Sequence, residues 1–310
     1  WSADVCSSDR GHFHTQRKET ENHQKIKGAC AMKTLLLIAL ILFFLFCLYF
    51  YCIMPNMHRK KEVKTFLHCL FAHRGLFTPD QRIPENSMAA FSNAVQKGYG
   101  IELDIQLTKD KQVVVFHDHT LSRMCGIDLP VCEMTYEELQ KITLGHTNEK
   151  IPLFQDVLNL VHGQVPLLIE IKLPCLNTLT CQLADELLMD YTGDYCIESF
   201  NPLALRWYKK HRKQVVRGQL SANLTRPVAE GGYFLSFLVK YLLLNFLGRP
   251  DFIAYCYKDR HNVSFLLNKC LYHAPTFAWT IRSETVFEQN LTHFDSIIFD
   301  SFIPVHKHPV

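Results

Sequence analysis

Two hydrophobic periods divide this chain. Leu35 to Met54 is one unbroken apolar run, whereas from residue 66 onward short apolar runs alternate with amphipathic segments. At about 1.5 Å per residue, such a run covers roughly the 30 Å hydrocarbon core of a bilayer, and residues 34–54 are predicted to form a single transmembrane helix. A cleaved signal peptide would carry a shorter apolar core and a small-residue cleavage site. Here the run ends in Tyr49, Phe50, Tyr51, Cys52 and Ile53, and the two tyrosines suit a membrane interface.

Beyond residue 66 the pattern reads strand, loop, helix, repeated. Strands are predicted at 66–72, 101–107, 113–116, 167–171, 195–199, 215–220, 252–257, 276–280 and 296–299. Helices are predicted at 87–95, 136–142, 153–161, 176–189, 202–210, 263–267 and 284–289. Alternation at this period implies a parallel sheet, and so many units fit a closed TIM (β/α)8 barrel over residues 66–310 better than an open doubly wound sheet. No glycine-rich phosphate loop opens any of the helices. Residues 233–247 (YFLSFLVKYLLLNFL) break the rhythm, being apolar nearly all round. This hydrophobic insert is read either as a barrel helix with a greasy face or as a lid or interfacial helix reaching lipid.

Composition adds limits. Residues 1–31 are polar and without apolar periodicity, and are expected to be an unstructured tail or an upstream extension ahead of Met32. Residues 55–65 read as a basic linker, and its Arg59, Lys60, Lys61 and Lys64 point the following domain to the cytoplasmic face by the positive-inside rule. A net charge of +3 gives no support for a nucleic-acid partner. The cysteines follow neither a disulfide nor a zinc spacing, which favours a reducing compartment, while sequons at Asn223, Asn262 and Asn290 are short enough to arise by chance.

The chemistry concentrates between His73 and Asp118. Glu102 and Asp104 lie two apart on a strand, so both side chains share one face. Glu170 and Lys172 repeat that spacing on a later strand. Three carboxylates make a hard-oxygen site suited to a divalent cation, Mg²⁺ or Ca²⁺; the alternative is an inward salt-bridge network with Lys172 and Arg74. His73 and His117 each close a predicted strand, and imidazole can serve as acid or base in phosphodiester cleavage. Arg74 offers a planar fork for phosphoryl oxygens. Glu85 and Asn86 read as a turn, with Asn86 capping the next helix. In a barrel, catalytic groups gather at strand C-termini, where His73, His117, Glu170 and Asp300 all fall.

These residues resemble the glycerophosphodiester phosphodiesterase family. The likeness rests on AHRG (72–75), PENS (84–87), ELDIQLTKD (102–110), VVVFHDHTLSRMCG (113–126), MTYEEL (134–139), IPLFQDVL (151–158), LLIEIK (167–172), Trp279-Thr280 and SIIFD (296–300), in order along the chain. It implies a TIM barrel that hydrolyses glycerophosphodiesters to glycerol phosphate and an alcohol. In that pattern His73 and His117 are the acid/base pair, and Glu102, Asp104 and Glu170 hold the cation. Arg74 and Lys172 meet the phosphate, with Glu85 and Trp279 at the substrate. The insert and a longer 76–83 loop depart from forms acting on small soluble diesters. Lysophospholipase D activity on a membrane lysolipid is the second reading, and a silent lipid head-group binder the third.

Overall fold

The computed structural model describes residues 8–173, 177–224 and 232–305. The chain divides into two units, Trp1–Tyr51 and Cys52–Val310. The first is dominated by α1 (Ser8–Ile53), which contains the one described helix long and apolar enough to cross a membrane, Lys27–Ile53. Residues 8–31, expected as an unstructured tail, are helical; the stretch is rich in Gln, Lys and Glu, which favour helix.

Eight parallel strands build the second unit: β1 (Leu70–Ala72), β2 (Gly100–Leu107), β4 (Leu167–Ile171), β5 (Tyr195–Ser199), β6 (Val216–Ser221), β7 (Phe252–Cys256), β8 (Thr276–Ile281) and β9 (Ser296–Phe299). They pair in the order β1-β2-β4-β5-β6-β7-β8-β9, and β9 closes on β1. This is the closed TIM barrel that the alternation predicted. Phe71, Leu168, Cys196, Val216, Leu220, Phe252, Ala254, Phe277 and Ile298 fill the barrel interior, so the polar residues two positions further along these strands face inward above a dry floor.

One predicted strand is not a stave. β3 (Val113–Val115) runs antiparallel to β2, as a hairpin that overshoots the rim. A period-2 apolar run is the same in either orientation, so the pattern could not distinguish the two. Strand β1 is shorter than expected, because Glu62–Phe66 forms a 3-10 turn that buries Val63 and Phe66.

Short helices return the chain between strands: α2 (Met88–Lys97), α3 (Ser122–Cys125), α4 (Tyr136–Leu139), α5 (Phe154–Val161), α6 (Leu179–Leu188), α7 (Pro202–His211), α8 (Gly232–Lys240), α9 (Asn245–Gly248), α10 (Val263–Leu266) and α11 (Glu284–Asn290). The expected cap of α2 is corrected by one residue. Ser87 caps it, its Oγ accepting from Ala90 N at 3.1 Å, which frees Asn86 for the site. The insert is two helices, α8 and α9, joined through Leu242 at φ 56°. Ser236 and Val239 face inward while Tyr233 and Phe234 are 75% and 74% exposed. The Ser221 hydroxyl donates to Val239 O and the Tyr255 hydroxyl to Lys240 O, tying the end of α8 to the C-terminal rim. Two sequon asparagines are structural: Asn262 caps α10, and the buried Asn290 amide donates to Val286 O.

Much of the basic 55–65 segment is part of the barrel. Asn56 N donates to Pro250 O, Arg59 to Gln214 O and Lys60 to Tyr272 O, all at the N-terminal ends of strands. Asp251, 2% exposed, accepts from Asn56, from Arg59 at 3.1 Å and from the backbone N–H of Arg217. Asp251→Ala therefore leaves buried cationic groups without a counter-charge. It is expected to cost about 3–5 kcal/mol of unfolding free energy, read by denaturant titration of the full chain; a loss below about 1 kcal/mol would mean this latch contributes little.

Candidate active site

The first wall of the site is a tight turn after β1. Ala72 pairs with Phe299 in register, so His73 and Asp300, next along each strand, arrive side by side although 227 positions apart. Arg74 has φ 56°, a left-handed conformation uncommon for an arginine, and Asn86 has φ 54°, which asparagine adopts more readily. The Arg74 conformation aims its N–H at Glu102 Oε2, 2.9 Å away. Asn86 N donates to Arg74 O, and its side-chain amide donates to Asp104 Oδ2 at 2.9 Å. Gly75, at φ 79°, permits this turn: a Cβ there would lie 2.9 Å from Ala90 of α2.

The floor of the site is acidic. Glu102 and Asp104 on β2 and Glu170 on β4 are 2%, 0% and 7% exposed, and one oxygen from each lies within 4.8 Å of the others. Lys172 Nζ sits 2.9 Å from Asp104 and 2.7 Å from Glu170, and Arg74 Nε 3.6 Å from Asp104. Burial would raise all three carboxyls. For Asp104 the charges of Lys172, His117 and Arg74 outweigh it and hold the group well below the usual range. Glu102 goes the other way, pushed well up by burial and then by Asp104 and Glu170. Glu170 is also raised by burial, against the pull of Lys172. The two cations thus neutralise only part of the trio. Three buried, convergent carboxylate oxygens, with Glu102 and Glu170 both pushed toward protonation, fit a divalent cation.

Each histidine is backed by a carboxylate. His73 Nδ1 lies 2.8 Å from Asp300 Oδ2, and its Nε2 lies 4.0 Å from Glu102. Burial lowers the His73 pKa against the opposing pull of Asp300. Burial works upward on Asp300, but its bonds to His73, Arg282 and Ser301 prevail and bring it down to about 2. His117 Nδ1 lies 2.7 Å from Asp118 Oδ1. The β3 hairpin carries His117 over the acids, where the buried Gln106 amide clamps the backbone carbonyls of Phe116 and Asp118. Arg123 then bridges Asp118 at 2.6 Å to Glu85 at 2.6 Å.

Of the residues predicted from sequence, His73, Arg74, Glu102, Asp104, His117, Glu170 and Lys172 converge at this mouth. Glu85 is there too, held in ion pairs with Arg74 (2.6 Å) and Arg123. Trp279, on β8 two positions after the interior Phe277, packs edge-on against Phe200 with its indole N–H buried and unpartnered. Sequence reading missed Asn86, Gln106 and Arg123 as residues that hold the site together. Gln106 could have been found, since it continues the 102, 104 parity along β2; Arg123 could not, because no period links a loop arginine to carboxylates on two other segments. A cavity of about 410 Å³ opens over the two histidines, lined also by Phe77 and Ser301.

The comparisons with known proteins point one way. The profile of the "Glycerophosphoryl diester phosphodiesterase family" matches residues 73–227, half of the chain. A glycerophosphodiester phosphodiesterase of Caldanaerobacter subterraneus subsp. tengcongensis is 34% identical over 171 residues, 51% of this chain and 69% of that protein. The rat lysophospholipase D GDPD1 is 31% identical over 154 residues, 46% of this chain and 47% of that one, so this match spans less than half of the relative. Among solved structures, an Oleispira antarctica phosphodiesterase in complex with the product sn-glycerol-3-phosphate aligns with a TM-score of 0.61 at 23% identity, covering 76% of this chain and 94% of that one. The Thermotoga maritima glycerophosphodiester phosphodiesterase aligns at 0.58 and 24%, covering 75% and 94%. At such identities the structural likeness speaks for the fold, while the sequence matches carry the kinship. The chain belongs to the glycerophosphoryl diester phosphodiesterase family and is a phosphodiesterase built on a TIM barrel.

Proposed function

We propose that this protein is a membrane-anchored, cation-dependent hydrolase that cleaves glycerophosphodiesters to glycerol phosphate and an alcohol. The observation carrying this reading is two carboxylate-backed histidines facing one three-carboxylate site that also holds Arg74 and Lys172. Asp300, kept ionised, accepts the Nδ1–H of His73 and leaves Nε2 with its lone pair toward the floor. His73 then takes a proton from the attacking water as the water oxygen bonds to phosphorus, which makes glycerol phosphate the direct product. His117 gives its proton to the departing alkoxide as the P–O ester bond breaks. Its side chain is 31% exposed, so the alcohol leaves toward solvent. Arg74 and Lys172 hold phosphoryl oxygens against the floor. A cation bound by Glu102, Asp104 and Glu170 would polarise the phosphoryl group and offset the charge that develops on it. The apolar helix ending at Ile53 serves in this reading as an anchor, with the basic Arg59–Lys64 side toward the cytoplasm.

A second substrate, the lysolipid, is favoured by a specific feature. An adjoining cavity of about 340 Å³, lined by Leu76, Phe77, Pro79, Phe302 and Ile303, shares Phe77 and Ser301 with the catalytic one. It is mostly apolar and just large enough for a small ligand site, so a single acyl chain can lie there while the phosphate sits at the histidines. The exposed Tyr233 and Phe234 of α8, anchored to the same rim, give a greasy approach from a lipid surface. The test is release of glycerol phosphate from glycerophosphocholine and of lysophosphatidate from lysophosphatidylcholine by the full chain in detergent. Ile303→Asp, at a half-exposed position, should lower kcat/KM for the lysolipid about tenfold or more and leave the soluble diester within twofold. Equal loss on both substrates would dismiss the groove, and no turnover of either would dismiss the hydrolase reading.

A further inference from the structure

The acid that the mechanism leaves unused is Glu198. It lies on β5 at 1% exposure, and its Oε2 is buried with no hydrogen-bond partner. Among the described residues no cationic side chain pairs with it. The strand register explains its surroundings. Asp104 pairs with Glu170, Glu170 with Glu198, and Glu198 with Gly218, so three acids stand abreast in one inner layer of the barrel. On the far side Gly218 offers no side chain, and even a Cβ there would run into the Phe252 ring. Glu198 therefore has carboxylates on one flank and an aromatic ring on the other. The groups acting on it most strongly by charge are Glu102, Glu170 and Asp104. A buried carboxylate without a donor is costly, and is relieved either by protonation or by a partner from outside the chain such as a cation and its water. It stands one strand beyond the trio whose oxygens lie within 4.8 Å of one another and is not a member of that group.

Resting on the cation-dependent reading above, we propose that Glu198 is the fourth carboxylate of the cation site, holding a water bound to the ion and so setting the ion's affinity and orientation. It is a positioning residue, acting on the reaction through the cation. Groups in this outer position commonly change metal affinity by about 10- to 100-fold when replaced.

The experiment is calorimetric titration of the full chain in detergent with Mg²⁺ and with Ca²⁺, comparing the parent with Glu198→Gln and Glu198→Asp, alongside thermal melts with and without cation. Glu198→Gln should bind about 10- to 100-fold more weakly. Glu198→Asp, which keeps the charge but withdraws it by one methylene, should fall between, and the rise in Tm on adding cation should shrink in the same order. Without cation, Glu198→Gln should melt no lower than the parent, because it gives up no hydrogen bond. Unchanged affinity in both variants overturns the proposal, as does a cation-free Tm for Glu198→Gln well below the parent, which would make the residue structural. A parent that binds neither ion fails differently, removing the cation reading of the whole site.

Discussion

Replacing His117 by alanine is expected to lower kcat for glycerophosphodiester hydrolysis by about two to four orders of magnitude, the usual contribution of a positioned acid or base. The magnitude follows from how His117 is held. Its backbone is clamped by Gln106, its Nδ1 is fixed on Asp118 at 2.7 Å, and Asp118 is tied down in turn by Arg123. Such a chain fixes both the tautomer and the ring direction, so that Nε2 is the atom presented to the leaving group. Because the side chain stands at the rim, its removal opens no core cavity, and the loss should appear in kcat with Tm unchanged. Turnover within a few fold of the parent would remove His117 from the mechanism.

The second large effect is loss of the cation. In excess chelator the full chain should release no measurable glycerol phosphate, and Mg²⁺ or Ca²⁺ added back should restore it. Two ionised carboxylates at 4.8 Å repel by about 3–4 kcal/mol at an effective dielectric near 20, and Lys172 and Arg74 answer only part of this. A divalent ion removes that repulsion, so its binding should also be visible as stability. At a concentration 100 times its Kd, an ion bound only by the folded state adds about 2.7 kcal/mol. The competing interpretation is a closed salt-bridge network that needs no ion. It predicts full activity in chelator and no rise in Tm with cation, so the two experiments together discriminate.

Periodicity and residue chemistry specify the elements of this fold one at a time. Most barrel strands are visible as short apolar or alternating runs, because burial between helices and barrel interior demands apolar residues on at least one face. The two-residue spacing placed Glu102 with Asp104 and Glu170 with Lys172 on common faces, because successive side chains on a strand alternate. The histidines were found as polar residues closing apolar runs. Local pattern therefore settles the set of elements and the chemistry available on each.

Which of those elements meet depends on packing across the whole fold. Val113–Val115 became a hairpin on β2 and not a stave, since its direction depends on the chain's return path. Asn86 turned from a cap into a hydrogen-bond donor to Asp104 once Ser87 had taken the cap. The basic segment after the apolar helix became a latch, because Asp251, 192 positions from Arg59, waits at the start of β7. Asp300 meets His73, and Glu198 stands abreast of Glu170, through the pairing register of parallel strands. Register is a property of two strands at once. No local pattern encodes it, and closure of the barrel sets it by aligning eight strands around one packed interior.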